Sequence, residues 1–415
     1  MNPADPPDPA EPDNRSPWST PLMPEIRQAI RQAGGALPFV RFMELALGHP
    51  RAGYYASGPL RTGREGDFVT APALAPLFGE CIVAQVLEIW RRCGEPSPFT
   101  VVEAGGGDGR LAAALWRIAR ALPALAPFAV ALRGVGVETS PAHRERQRQT
   151  LWAAGADAER LAWVDTLEEA CPPEGLTGVI LGHEFLDALP LHWVERGESG
   201  LMELAVVESP GGPEGEPGLD VVPMPPQPPL SSDYFSALGL DLPPGMRAEV
   251  GLAAQDWTAR AARLLTRGAL LFIDYGHPAR DLYHPAFFHG TLTGYRQHRK
   301  VENPLLFPGA MDLTGHVDFS AIARAAVGEG AAVAGFTPQA WFLLDCGLLE
   351  RLERQSARLS PEDQALARQA VMRLVLPQGM GERFKALLLT KGFPPGAADE
   401  GPFMGFRSRD LRGRL

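Results

Sequence analysis

The chain has 415 residues, is 45% hydrophobic and 21% charged, and carries a formal net charge of −10. That is enough apolar material for a sizeable core, and it excludes global disorder. The acidic balance, with no basic stripe, excludes a nucleic-acid backbone as the main partner. No apolar run reaches the ~18 residues of a spanning helix, so membrane insertion is not expected. The four cysteines (Cys81, Cys93, Cys171, Cys346) are scattered without a CxxC pair. Neither a zinc site nor a disulfide framework is supported, and a reduced, cytoplasmic compartment is the expectation.

Residues 1–20 contain six prolines and several acids and lack the basic and apolar regions of a targeting peptide. They read as a disordered tail. Residues 22–47 read as two short amphipathic helices split at Gly34, Gly35 and Pro38, and a longer helix is expected over 77–92. From residue 99 strands and helices alternate. Strands are expected at 99–103, 134–137, 161–164, 178–182 and 269–273, each a short apolar run of the kind buried on both faces. Ser140 caps a helix that starts at Pro141. This pattern predicts an α/β doubly wound sheet. Two insertions interrupt it. Residues 191–246 carry strands near 192–195 and 201–207, then ten prolines between Pro210 and Pro244. Residues 277–317, rich in His, Tyr and Gly, have the look of an active-site lid. Beyond them come helices at 318–328, 338–357 and 361–375, and a strand over 384–390 paired with 331–335 at an antiparallel sheet edge. The helix over 338–357 reads as a core or dimer helix.

The strongest motif is Glu103-Ala104-Gly105-Gly106-Gly107-Asp108-Gly109, an E-x-G-x-G-x-G turn at the end of a strand. Glycines there permit a tight turn and close approach of a ligand. The dinucleotide fingerprint G-x-G-x-x-G fails, because its third glycine falls on Arg110. The spacing found is the one associated with S-adenosylmethionine. Glu138 ends the second strand, where an acid accepts both ribose hydroxyls, and Asp165 ends the third, within reach of an adenine amino group. Each alone could be a solvated strand end. Their joint placement at successive strand C-termini is what points to a ligand. His183-Glu184-Phe185-Leu186-Asp187 closes the fourth strand. Two carboxylates there suit a guanidinium acceptor, which stays protonated and needs a carboxylate to orient it. The alternative is a capping Asp187 and a solvated Glu184. The histidines His277, His284, His289 and His298 do not match a zinc signature, so no metal is expected. Asp318 reads as a helix cap, and His316 is a candidate for a direct role.

Taken in order, these segments resemble a known family. They are Gly53-Tyr54-Tyr55; Gly66-Asp67-Phe68-Val69-Thr70-Ala71-Pro72 with Phe78-Gly79-Glu80; the glycine turn; and His183 to Pro190. They continue with Asp274-Tyr275-Gly276, Gly290-Thr291-Leu292, His316-Val317-Asp318-Phe319 and Met380-Gly381-Glu382. The chain is similar, over roughly residues 35–393, to the MidA-like family of class I S-adenosylmethionine-dependent methyltransferases. The resemblance implies a Rossmann-like, seven-stranded mixed sheet with helices on both faces. Around it would sit a helical cap (21–98) and a methyltransferase domain (99–415) carrying both insertions. It implies S-adenosyl-L-methionine as cofactor, bound by Glu103, Gly105, Gly107, Gly109, Glu138 and Asp165, with Asp67 and Thr70 in a segment over the pocket. Catalysis would fall to Glu184, Asp187 and His183. The implied substrate is a protein arginine, on the 49-kDa-type subunit of respiratory complex I, linking the chain to complex I assembly. A homodimer is a further expected partner. Two motifs depart from the family: His183 replaces a common Asn, and Gly106 and Asp108 replace Pro and Arg. A small-molecule methyltransferase and a non-catalytic cofactor-binding assembly factor share most of these features.

Overall fold

The computed structural model describes residues 16–56, 71, 76–210, 218–396 and 400–415. Seven strands form the main sheet, numbered here in chain order. They are β1 Phe99–Ala104, β2 Leu132–Val137, β3 Leu161–Val164, β4 Leu176–His183, β5 Leu265–His277, β6 Ala332–Pro338 and β7 Phe384–Lys391. Their spatial order is 3-2-1-4-5-7-6. β1 to β5 run parallel, and β7 is antiparallel to both neighbours. A short strand, Val317–Asp318, adds to the end of β5. The expected seven-stranded mixed sheet is therefore present. The terminal pair is antiparallel as expected, with β6 at the edge and β7 inside.

Period-two alternation explains the two-sided core. Val101, Val179, Leu181, Leu271 and Leu388 face one apolar cluster with helices Pro76–Arg92 and Arg110–Ala121. Val102, Ile180, Leu270, Phe272 and Leu387 face the other, with helices Leu252–Leu264 and Phe319–Gly328. Helix Pro76–Arg92, assigned to the cap by sequence, thus belongs to the main core. Among the described residues no single helix is long and apolar enough to cross a membrane.

The two N-terminal helices form as expected, at Met23–Gln32 and Phe39–Gly48. They pack on a second, antiparallel sheet built from Leu37–Pro38, His192–Arg196, Leu201–Ser209, Gly218–Met224 and Arg247–Val250. The first insertion therefore holds one more strand, Gly218–Met224, than its proline content suggested. Trp18 is buried in the same cluster, so ordered chain begins before residue 21; residues 1–15 of the expected tail lie outside the described residues. The second insertion contributes a three-stranded sheet, Thr293–Arg296, Arg299–Val301 and Asp312–Thr314. The buried carboxylate of Glu249 anchors it by accepting the Thr291 N–H (2.9 Å), the Thr291 hydroxyl (2.8 Å) and the Leu292 N–H (3.1 Å). The helix expected over 338–357 is broken into Gln339–Asp345 and Leu348–Ser356, because Gly347 adopts φ 79° between them.

Candidate active site

The register of the parallel strands decides where the site lies. Ala104 pairs with Val137 and with Gly182, Val137 with Val164, and His183 with Ile273. One residue on, Gly105, Glu138, Asp165 and His183 share a level at the C-terminal edge, and Glu184 and Asp274 stand one step beyond it. The order reverses between β1 and β4, and ligands of open α/β sheets bind at that crevice. A cavity of about 530 Å³ opens there. Its walls include Glu103, Gly105, Gly107, Glu138, Asp165, His183 and Glu184 from the sheet edge, and Glu44, Leu47, Tyr54 and Tyr55 from the N-terminal segment.

The glycine turn is held in conformations that favour glycine. Gly105, Gly107 and Gly109 have φ of 62°, 52° and 80°. A Cβ at Gly105 would lie 3.0 Å from the Phe185 ring. Gly105→Ala is therefore expected to destabilise the turn by about 1–2 kcal/mol. It should also weaken cofactor binding at least ~10-fold by calorimetry; an unchanged affinity would refute the cradle assignment. Gly109 does not wall the cavity; it starts helix Arg110–Ala121 and faces Gln147.

Glu138 is held in place on the cavity wall. Its Oε1 accepts the Ser140 N–H (2.9 Å) and its Oε2 accepts from Gln147 Nε2 (3.2 Å). Each oxygen keeps a second lone pair. Gln147 was not singled out from the sequence. It also donates to Gly107 O (3.1 Å) and accepts from Trp163 Nε1 (2.8 Å), tying the turn to β2 and β3. Its only signal is a polar residue on the buried side of its helix. Asp165 sits exposed at the cavity rim, paired with Arg144 at 2.6 Å.

The β4 end is electrostatically unusual. Glu184 has φ 49°, a left-handed conformation uncommon outside glycine. Burial, with nearby Asp187, pushes its carboxyl up to about 8, against the Ala71 N–H, which pulls it down. Burial lowers His183 to about 3, so its ring is neutral; it packs against Phe78 at 4.9 Å. His183 Nε2 lies 3.3 Å from Glu184 Oε1, yet neither atom makes a hydrogen bond. Asp187 is not on the cavity wall, contrary to a direct substrate contact. Thr314 Oγ1 donates to its Oδ2 (2.7 Å) and draws it toward the second insertion. Burial raises Asp187 also. Among the described residues no lysine or arginine pairs with Glu184 or Asp187.

Asp274, from the Asp-Tyr-Gly segment, was given no role by sequence. Its Oδ2 accepts the N–H groups of Phe185 (3.1 Å), Leu186 (2.9 Å) and Asp187 (3.3 Å), and its Oδ1 accepts the Tyr275 N–H (2.9 Å). The expected lid, 277–317, does not wall the large cavity. It backs the site, through Thr314 on Asp187 and through Asp312, which accepts from Tyr55 Oη at 2.7 Å. Asp67 and Thr70 lie outside the described residues.

Burial raises Glu103 to about 8, as it does Glu184. In the unfolded chain such groups titrate near 4.5. Between those values the folded state binds more protons, so stability falls as pH rises. The buried neutral histidines act oppositely below their ordinary 6.5. The apo protein's Tm should therefore fall from pH 6.5 to 8, and Glu184→Gln should flatten that fall. A Tm that rises across this window would refute it.

Comparison with known proteins agrees with this geometry. A family model of S-adenosyl-L-methionine-dependent methyltransferases matches residues 81–337. A Drosophila melanogaster relative, "Protein arginine methyltransferase NDUFAF7 homolog, mitochondrial", is 31% identical across 93% of this chain and 88% of its own length. The Homo sapiens protein, "Protein arginine methyltransferase NDUFAF7, mitochondrial", is 28% identical across 89% and 83%. A Burkholderia thailandensis protein crystallised with S-adenosyl-homocysteine superposes with a TM-score of 0.82 at 35% identity, covering 95% of this chain and 96% of that one. The cytoplasmic expectation is corrected here: these eukaryotic relatives are named mitochondrial, and cysteine usage does not separate two compartments that both keep thiols reduced. The chain belongs to this family of class I methyltransferases, and its cofactor is S-adenosyl-L-methionine.

Proposed function

We propose that the chain methylates an arginine side chain of a protein substrate, the 49-kDa-type subunit of respiratory complex I, during assembly of that complex. The observation that carries this reading is Glu184. It is a largely buried carboxylate on the cofactor cavity, with one oxygen unpartnered and no cationic side chain among the described residues beside it. Burying such a group is costly unless a cation completes it, and a guanidinium fits a planar two-oxygen receptor. The names of the curated relatives support the arginine assignment.

The residues present fit the cofactor. Gly105 leaves open the space a Cβ would fill, and Glu138 turns a fixed carboxylate to the cavity. Bound S-adenosyl-L-methionine supplies an electrophilic methyl on a sulfonium sulfur. Gly105 and Gly107 let the backbone approach it, Glu138 accepts the ribose hydroxyls, and Asp165 takes the adenine amino group at the rim. Glu103 lies beneath the turn, accepting the Ala112 N–H. Asp67 and Thr70 belong to the same binding region. Glu184 holds the guanidinium and its Oε1 takes the proton released on transfer. Neutral His183 adds no positive charge against a cationic acceptor. Asp187, behind the wall, contributes fixed negative charge that offsets repulsion between acceptor and sulfonium. A second copy of this chain is a further partner. Leu349, Leu366 and Met372, exposed on the C-terminal helices, supply apolar surface for it, and a monomer by light scattering would overturn that assignment.

Mass spectrometry of complex I subunits from cells lacking the gene tests the substrate. Loss of one arginine methylation, restored by the wild-type gene, is expected. An unchanged arginine pattern would sink the proposal, and methyl transfer to a metabolite pool alone would replace it with a small-molecule reaction.

A further inference from the structure

His316 is prominent in the sequence and unused in the mechanism above. It lies between strands Asp312–Thr314 and Val317–Asp318. Its backbone N–H donates to Thr291 Oγ1 at 2.9 Å, and its ring meets Tyr275 edge-on at 5.3 Å. Burial, with His277, Lys385, Arg383 and Lys300 nearby, lowers its pKa to about 3. The ring is neutral, with one N–H donor and one acceptor nitrogen. Its Nδ1 is buried and has no hydrogen-bond partner.

Two other atoms share that condition. Asp187 Oδ1 and Asp318 Oδ2 are buried with no partner at hydrogen-bond geometry, in residues over nine-tenths buried whose carboxyls otherwise sense the hydroxyls of Tyr275 and Tyr283 respectively. Their other oxygens are already committed. Asp187 Oδ2 accepts from Thr314 at 2.7 Å, and Asp318 Oδ1 accepts the Ala321 N–H at 3.0 Å. His316, Asp187 and Asp318 all line one small cavity of about 20 Å³, whose other walls are apolar except for Glu249, engaged by Thr291 and Leu292, and Gln255, engaged by Tyr234.

A cavity of that size holds one water, given two to four polar partners. The donor and acceptor count matches. A water has two protons, one for each carboxylate oxygen, and accepts from an imidazole N–H. Leaving three buried polar atoms unpaired would be costly for each. We infer that this cavity binds a single structural water bridging Asp187 Oδ1, Asp318 Oδ2 and His316 Nδ1, and that His316 thereby acts as a positioning residue for Asp187. The water selects the Nδ1–H tautomer of His316. It pins the second oxygen of Asp187 where Thr314 pins the first, so the negative charge behind Glu184 cannot rotate away. The kinetic consequence rests on the arginine reading of Glu184; the water site does not.

A crystal structure of the full chain tests the site. Solvent density within hydrogen-bond distance of all three atoms is expected, and a dry cavity would overturn the proposal. Nitrogen-15 NMR of the histidines should show the Nδ1–H tautomer for His316; the other tautomer would overturn it too. In kinetics the probe is labelled S-adenosyl-L-methionine with a protein extract from cells lacking the gene. His316→Leu should lower the rate of methyl incorporation about 10-fold with cofactor affinity within about twofold, and His316→Asn, which keeps an N–H donor near the same place, should restore most of it. Full activity of His316→Leu with the water present would overturn the positioning role. Full activity of Glu184→Gln with the water present would instead refute the arginine reading and leave the site standing.

Discussion

Replacing Glu184 by Gln should lower kcat about 10²- to 10³-fold, while cofactor affinity stays within about twofold. The substitution keeps the shape and removes the charge. It leaves the φ 49° backbone and the cavity wall in place, so the fold has no reason to fail. What it removes is the negative group that holds a cationic acceptor against a cationic methyl donor, and losing one preorganised electrostatic partner of that kind costs about 3–4 kcal/mol of barrier. The pH profile supplies an independent check. With its carboxyl held up to about 8 in the free protein, Glu184 is mostly protonated at neutral pH, so kcat/KM should climb with pH and level off above about 8. That rising limb should vanish in the Gln variant. Methyl incorporation at several pH values measures both effects, and a fully active Gln variant would remove Glu184 from the chemistry.

The sheet and the row of acids at its edge were legible because parallel strands impose a simple rule. Short apolar runs ending in Gly105, Glu138 and Asp165 predict a common level, and the register puts them on one, with Glu184 a single residue further along its strand. The N-terminal helices were legible from Gly34, Gly35 and Pro38 for a similar local reason. What sequence did not show depends on long-range closure. Asp187 looked like a partner to Glu184 by spacing, yet Thr314, 127 positions later, draws it off the cavity. Tyr55 meets Asp312 across 257 positions. Gln147 carried no motif, and its three hydrogen bonds exist only after β2 and β3 are assembled. The 277–317 segment had the composition of a lid, but composition does not say which side of the site a segment covers. Gly347 reads as one tolerable glycine in an amphipathic run, and only the left-handed φ shows that it ends a helix.

Asp274→Ala should be the most destabilising single change in the site. The side chain is fully buried and gathers four backbone N–H groups, three of them consecutive along the segment after Glu184. Burial and the charges of Asp187 and Glu184 push its carboxyl up, while the amides favour the ionised form. Donors that all point inward have no other acceptor, so truncation strands several amides at about 1–3 kcal/mol each. Partial relaxation of the loop brings the expected total to about 3–5 kcal/mol, or roughly 3–6 °C in Tm for a chain of this length. Asn is the informative comparison. Its carbonyl oxygen can still accept the three consecutive amides, but its NH₂ then faces the Tyr275 N–H, donor to donor. The Asn variant should lose about 1–2 kcal/mol, the price of one failed hydrogen bond. Function should follow the loop. Phe185, whose ring touches the space beside Gly105, is the first residue released, so the Ala variant should lose cofactor affinity as well as turnover, whereas the Asn variant should keep most of its affinity. Thermal melts and calorimetry on the three proteins separate these outcomes. An Ala variant melting within about 1 °C of wild type would show that the segment after Glu184 is held by something other than Asp274.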